Sequence, residues 1–327
     1  MLILVAPLNW GLGHATRCVP LIRRLLGEGH EVVLGGDGDS LTVLRRHFPD
    51  LRFIPLSPLR LRYSRSRSQV GAMLRALPRI LWSSVEDHMM LRTYMQQYPF
   101  DLVISDNRFG LYTHRTKCVY LTHQLYIRLP RGLRWLEPLA RALHARIYNR
   151  YSEVWVPDYE DPQQSLSRDL SHRHRPGVQN DKLRYIGPLS RFEGLTEEDT
   201  RYRADVVAVL SGLEPQRTML EQQIKQRYQN GEQEVLIVQG LVGRPRTTLR
   251  RGRITIVPQL TDKEMRGALL HAHHIIARSG YSTIMDLHTL GVLDRAELIP
   301  TPGQSEQQYL AHAIGEATYR HHDGRNA

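Results

Sequence analysis

The sequence predicts an α/β protein made of two parallel-sheet domains, residues 1–186 and 187–327. Three observations carry that expectation. The chain has 327 residues, close to two domains at roughly 150 each. Its beginning reads strand, helix, strand, the order of the parallel β-α-β unit. The pattern then repeats, dissolves into a polar stretch from His172 to Gly177, and starts again at Leu183.

In order, residues 2–6 form an apolar run ended by Pro7, with Gly11 and Gly13 beyond it. Val19, Leu21, Ile22, Leu25 and Leu26 fall on one face of a helix stopped by Gly29. Residues 31–34 read as the next buried strand, ending in Gly35-Gly36. Further short apolar runs at 51–54, 102–105, 119–122 and 153–156 read as strands. Long helical stretches cover 70–98 and 133–151, and Pro78 is a place where the first could end. The second half offers strands at 205–210, 234–239, 254–257, 274–277 and 297–299. Its helices fall at 216–228, 262–272, 282–290 and 305–317.

With 41% hydrophobic and 24% charged residues, the chain is neither a disordered tail nor a collagen-like repeat. Two cysteines, Cys18 and Cys118, exclude a disulfide framework and point to a reducing compartment. No apolar run approaches the roughly 18 residues of a membrane span, so a soluble, cytoplasmic chain is expected. The net charge of +11 is lopsided. Residues 1–185 hold 27 Lys and Arg against 16 Asp and Glu, whereas the remainder holds 17 of each. A basic first half calls for an anionic partner: a phosphate-bearing substrate, an acidic lipid or a nucleic acid. The plainer reading is a solvated arginine-rich surface, since 40 of the 44 cations are arginine. No nucleic-acid reader motif is present and aromatics are only 7%, which argues against nucleic acid.

Chemistry-bearing residues gather at strand ends. Asn9-Trp10-Gly11-Leu12-Gly13-His14 joins the first strand to the first helix, where glycines let a ligand approach and the helix start favours an anion. It is neither GxGxxG nor a P-loop, and a tight turn with a buried histidine reads equally well. Asp106-Asn107-Arg108 and His123-Gln124 follow two more strands. If those strands are neighbours, the three motifs share one edge, where open parallel sheets bind ligands. In the second half, Ser211-Gly212 is followed by Glu214, Gln216 and Arg217. Arg278-Ser279-Gly280-Tyr281-Ser282-Thr283 opens a helix, as a diphosphate site would, or as an ordinary helix cap. Asp286 lies one turn inside, where a carboxylate can accept from ribose hydroxyls. Gln304, Gln307 and Gln308 offer amides suited to sugar hydroxyls.

These motifs, in this order across roughly residues 1–311, resemble family 28 of the GT-B glycosyltransferases. That family includes the enzyme adding N-acetylglucosamine from a UDP donor to a lipid-linked peptidoglycan precursor. Gly11, Gly13 and His14 match its first glycine loop, which faces the acceptor and the diphosphate. His123-Gln124 resembles its histidine turn. Residues 254–260, through Val257, resemble the segment that meets the uracil. Arg278 through Asp286 matches its arginine-glycine-acid stretch, with Asp286 at the ribose-binding position. Gln307 and Gln308 match the pair reading the donor sugar. The family's second glycine-rich loop is reduced here to Ser211-Gly212-Leu213.

The resemblance implies two Rossmann-like domains facing a cleft and an inverting transfer of sugar from a UDP donor to an acceptor hydroxyl on a lipid or glycan. Helix starts near residues 212 and 280, with Arg278 or Arg217, would stabilise the leaving diphosphate without a metal or other cofactor. His14 is the expected general base, with Asp106 as competitor, and Asn107 and His123 lie on the acceptor side. Asp37-Gly-Asp39 reads as turn chemistry. His271, His273 and His274 are too crowded for a metal site, and His321-His322 sits in a polar tail. Within the same fold, a UDP-sugar 2-epimerase or hydrolase is the rival. From another class, the rival is a basic-surface binding protein.

Peripheral docking on the anionic inner face of a membrane is also expected. Arg60, Arg62, Arg65 and Arg67 precede an apolar face of Val70, Met73, Leu74, Leu77, Ile80 and Leu81, with Trp82 at its end. Arg128, Arg131, Arg134, Arg141, Arg146 and Arg150 surround Leu133, Trp135, Leu136 and Leu139, against the single Glu137. The alternative is that both stripes are buried in the protein's own core.

Overall fold

A computed structural model describes residues 1–58, 70–172, 180–212 and 214–323. The chain forms two compact units, with the break between Leu189 and Ser190.

The first unit runs β1 (Leu2–Pro7), α1 (Gly13–Gly27), β2 (Glu31–Gly36), α2 (Gly38–His47), β3 (Phe53–Pro55), α3 (Val70–Gln97), β4 (Leu102–Asp106) and β5 (Lys117–Leu121). It continues with α4 (Glu137–Tyr148), β6 (Glu153–Val156), α5 (Asp169–His172) and β7 (Leu183–Tyr185). The seven strands pair in the order β3-β2-β1-β4-β5-β6-β7, every pair parallel. β1 and β4 lie buried in mid-sheet, which is why their sequences are unbroken apolar runs rather than alternating ones. Leu4, Ala6, Val33, Val103, Tyr120 and Val154 form the core against neighbouring helices. α1 ends as its composition demands: Gly29 takes φ +78° just past the helix, and the Glu28 amide closes onto the Arg24 carbonyl.

Two helices differ from expectation. α3 continues through Pro78, whose ring deletes one ladder bond without ending the helix. The stretch expected as one helix over 133–151 is instead a 3₁₀ turn, Arg131–Leu136, followed by α4. Pro138 stands in the first turn of α4, where its missing N–H costs nothing, and so marks a helix start.

The second unit contains β8 (Val206–Val209), α6 (Gln216–Tyr228), β9 (Val235–Val238), β10 (Leu249–Arg251), β11 (Ile254–Val257) and α7 (Asp262–His271). After these come β12 (His274–Arg278), α8 (Tyr281–Thr289), β13 (Ala296–Ile299) and α9 (Ser305–Asp323). The strand order is β10-β11-β9-β8-β12-β13, parallel except for β10 against β11. β10 was not foreseen, because all three of its residues are exposed and only Leu249 is apolar.

Candidate functional site

In the first unit the strand order reverses between β1 and β4, the topological switch point at which open α/β sheets bind ligands. Pro7 pairs with Asp106 across that seam, and the Leu8 amide donates to the Asp106 carbonyl at 2.9 Å. The Asn9–Gly13 loop therefore lies directly beside the end of β4. β5, which leads to His123, is the next strand along. The three motifs do share one edge.

Gly11 adopts φ +81°, a conformation that a side chain would strain, and α1 begins two residues later with no side-chain cap and no acid in its first turn. His14 lies in that turn, 15% exposed, with Nδ1 3.0 Å from Asp106 Oδ1. Arg17, one turn further on the same helix face, is the residue the sequence reading missed. It is buried, its Nε donates to Asp106 Oδ2 at 2.8 Å, and its Nη2 donates to Oδ1. Its Nη1 lies 3.1 Å from Nδ1 of the nearly buried His123.

The electrostatics separate the two candidate bases. Burial alone would raise Asp106, but Arg17 and His14 outweigh it and hold the carboxyl well below the usual range. An ionised, wholly buried carboxylate with both oxygens occupied orients its neighbours and is a poor proton acceptor. His14 is lowered chiefly by burial, with Asp106 pulling upward and Arg17 downward, so its imidazole keeps its neutral form to lower pH than an ordinary histidine. Burial also pushes the Cys18 thiol well up, leaving it inert beside Asp106.

Behind this cluster lies a second buried network, also illegible in sequence. Arg108 Nη1 donates to both oxygens of Asp87 at 3.0 Å, and Nη2 donates to Asp37 Oδ1. Its Nε reaches the Pro7 carbonyl at 3.1 Å. Asp37 stands at the N-cap of α2 but makes no cap bond; Asn9 Nδ2 donates to its other oxygen at 2.9 Å. The turn-chemistry reading of Asp37 is corrected accordingly: it ties the glycine loop to β2 and β4. Asn107, at φ +57°, accepts from the Tyr120 hydroxyl at 2.9 Å, so its side-chain oxygen is already engaged.

In the second unit the reversal falls between β8 and β12, which places Ser211-Gly212 beside Arg278–Tyr281. Leu213 lies outside the described residues. The start of α6 is already occupied by an acid: Glu214 accepts the Thr218 amide at 3.2 Å and Arg217 Nε at 3.1 Å. This alters the expectation that Arg217 and this helix start would serve the diphosphate.

The start of α8 differs. Gly280 supplies no side-chain cap, and the first turn contains no acid. Beneath it Arg278, 4% exposed, donates to the Pro300 carbonyl at 3.0 Å and the Gln216 carbonyl at 2.8 Å. No carboxylate pairs with it among the described residues. Burial alone lowers its pKa to about 10, leaving a cation without a counter-charge next to a helix start that has neither a side-chain cap nor an acid.

The remaining expected donor residues divide. Ser211, Ser282, Thr283 and Gln304 are half-buried, whereas Tyr281 is buried. Ser279 is buried and donates to the Gln307 carbonyl at 2.8 Å. Gln307 turns its own side-chain oxygen to the Thr301 amide at 2.8 Å, closing the loop, while Gln308 is exposed. Val257 packs into the core, leaving at most its backbone edge for a base. Asp286 is nearly buried, accepting from Ser190 Oγ at 2.7 Å and pairing with Arg191 Nε at 3.1 Å. Burial raises its pKa against the pull of Arg191.

On the outer face of the first unit, α3 exposes Leu77, Leu81, Val85 and Met89 at four-residue spacing, with Trp82 63% exposed. Trp135, 74% exposed, leads the same spacing through Leu139 and Leu143, among exposed Arg134, Arg141, Arg146 and Arg150. These stripes are not buried in the unit's own core. Arg60, Arg62, Arg65 and Arg67 lie outside the described residues, as do the side chains of Val70, Met73, Leu74 and Arg131. Among the described residues no helix is long and apolar enough to cross a membrane, and no group of three His, Cys, Asp or Glu side chains is placed to hold a metal ion.

No family model matches the chain. An uncharacterized glycosyltransferase of Methanosarcina acetivorans is 22% identical over 98% of this chain and 84% of its own length. Among solved structures, the glycosyltransferase SnogD from Streptomyces nogalater aligns with a TM-score of 0.54 and 18% identity, over 96% of this chain and 84% of its own. LpCGTa, solved in complex with UDP, aligns with a TM-score of 0.56 and 13% identity, over 95% and 82%. The fold is that of the two-domain GT-B glycosyltransferases.

Proposed function

We propose that this chain is an inverting glycosyltransferase of the family-28 kind, moving a sugar, with N-acetylglucosamine the first candidate, from UDP to an acceptor hydroxyl on a lipid or glycan. The observation that carries the reading is His14, held through Nδ1 on an ionised, buried Asp106 at the switch point of the first sheet. With Nδ1–H donated to the carboxylate, Nε2 is left bare to take a proton. In a single displacement the acceptor oxygen forms its bond to the anomeric carbon as the bond to the diphosphate breaks. The acceptor proton goes to His14, and UDP leaves with the bonding electrons. The uncompensated Arg278 and the acid-free start of α8 favour that negative charge, so no metal cofactor is expected. The fold shared with a protein solved with UDP supports the choice of nucleotide.

A screen of nucleotide sugars by thermal shift and UDP release tests this. UDP at a hundredfold its Kd should add about 2.7 kcal/mol of stability. Gln308→Ala should change preference among UDP-sugars while leaving UDP affinity intact, because Gln308 is exposed and Gln307 is spent on the loop. Release of UDP with no acceptor present would favour the epimerase or hydrolase reading. Absence of any nucleotide binding would leave a binding protein.

The exposed Trp82 and Trp135 stripes beside arginines also support docking on the anionic cytoplasmic face of a membrane, where a lipid-linked acceptor would lie. Each cation near such a surface contributes about 1 kcal/mol. Sedimentation with vesicles should therefore need anionic lipid, weaken with salt, and fall by at least about tenfold in a Trp82→Ser, Trp135→Ser double variant. Equal recovery in the supernatant with neutral and anionic vesicles at low salt would point to an unanchored acceptor.

A further inference from the structure

Arg17 is a cation in the middle of a buried helix face, and balancing Asp106 would need only one of its contacts. Its guanidinium makes more: Nε to Asp106 Oδ2 at 2.8 Å, Nη2 to Oδ1, and Nη1 within 3.1 Å of His123 Nδ1. Nη2 also stands 2.9 Å from His14 Nδ1. A guanidinium has five N–H groups and no acceptor, so a ring nitrogen bonded to it must be bare. For His123 this decides the tautomer: Nδ1 accepts, and the ring proton sits on Nε2.

At His14 two neighbours make opposite demands on Nδ1. Asp106 Oδ1, at 3.0 Å, requires a proton there, whereas Arg17 would require a lone pair. The carboxylate decides it. Asp106 is ionised, and a bare Nδ1 would set two lone pairs against each other at contact distance. The short Arg17–His14 separation then follows from two donors converging on one oxygen. The charged and titratable groups facing His14 are Asp106, Arg17 and His123, with Cys18 Sγ 3.6 Å from Asp106 Oδ2.

We infer that Arg17 is a positioning residue that, with Asp106, holds the two histidines of the site in opposite tautomers, His14 as the bare-Nε2 base and His123 as an Nε2–H donor. The inference rests on the reading of His14 as the base. It adds that the site has one base rather than two, because His123 Nδ1 is spent on Arg17. A lysine could balance Asp106 but lacks the fork that grips both carboxylate oxygens while reaching His123.

Histidine-selective ¹⁵N labelling of the full chain, read by long-range ¹H–¹⁵N correlation without substrate, tests the tautomers directly. His14→Gln and His123→Gln assign the two rings. The expected spectrum at pH 7.5 has an unprotonated Nε2 on one ring and an unprotonated Nδ1 on the other. Both rings in one tautomer, or the two reversed, would overturn the inference. Transfer activity of His14→Gln separately decides whether His14 is the base, so the two failures are distinguishable. In Arg17→Met, Asp106 acts on His14 without its counterweight, and the acid limb of the kcat–pH profile should move up by about one unit. Arg17→Lys should restore that limb but not the His123 tautomer. A folded Arg17→Met with unchanged tautomers and an unchanged limb would leave Arg17 merely structural. Where Arg17→Met does not fold, the spectrum of the parent chain decides alone.

Discussion

Replacing His14 with glutamine is expected to lower kcat by about 10²–10⁴-fold, the usual contribution of a positioned base, while UDP binds as before. Its Nδ1 contact to Asp106 is internal to the first unit, whereas the residues expected to hold UDP belong to the second. The pH profile carries the sign. Burial and Arg17 lower His14 below 6.5, so the parent enzyme should keep its rate as pH falls through 6.5 and lose it only further down. Asp106→Asn removes the charge that pulls His14 upward, so the acid limb should move lower still, on a much reduced kcat. If His14→Gln turns over normally while Asp106→Asn is dead, the roles have been exchanged.

The largest expected loss of stability comes from Arg108→Met. Arg108 is buried, and its removal strands Asp87 and Asp37 without their shared cation. Breaking such a buried pair by removing one partner typically costs about 3–5 kcal/mol, because the remaining charge stays desolvated. Asp87 is already raised by burial against the pull of Arg108, and in the variant it should rise further. A carboxyl raised in the folded state binds its proton more tightly there than in the unfolded chain, so stability falls as pH rises past it. The difference from the parent should therefore narrow on acidification towards pH 5. Urea unfolding of the full chain reads both effects. Arg217→Met, removing a partly exposed pair with Glu214, is the control and should cost no more than about 1 kcal/mol. A loss of that small size for Arg108→Met would refute the account of the buried network.

The strands were legible because buried parallel strands are written as unbroken apolar runs with glycine or proline at their ends, as in residues 2–7 and 31–36. The placing of His14, Asp106 and His123 on one edge needed only sheet order, which the β-α-β pattern implies without stating. Burial of arginine was not legible. Arg17 and Arg108 read as surface cations, and nothing local marks them, since their partners lie 89 and 21 or more residues away. The same distance hid the engagement of Asp286 with Ser190, 96 residues earlier. β10 was missed for the opposite reason: it is held by backbone pairing with β11, and one exposed Leu249 is too little apolar pattern to announce it.

The ends of the two sheets bear on whether this chain can pair with another. A border strand offers unpaired amides and carbonyls to any other chain, and short, charged borders discourage that pairing. Here β3, β7 and β10 are each three residues long, and β13 has four. Arg52 precedes β3, and the Arg45 guanidinium lies 3.3 Å over the Phe53 ring. Lys182 precedes β7 and Arg184 lies within it, while β10 holds Arg250 and Arg251, and Arg295 adjoins β13. Two copies pairing through β3, β7 or β10 would bring arginines together, whereas β13 carries Glu297 as well as the adjoining Arg295. The arginines at β3, β7 and β10 thus act against strand-to-strand pairing with another copy, a task separate from ligand binding.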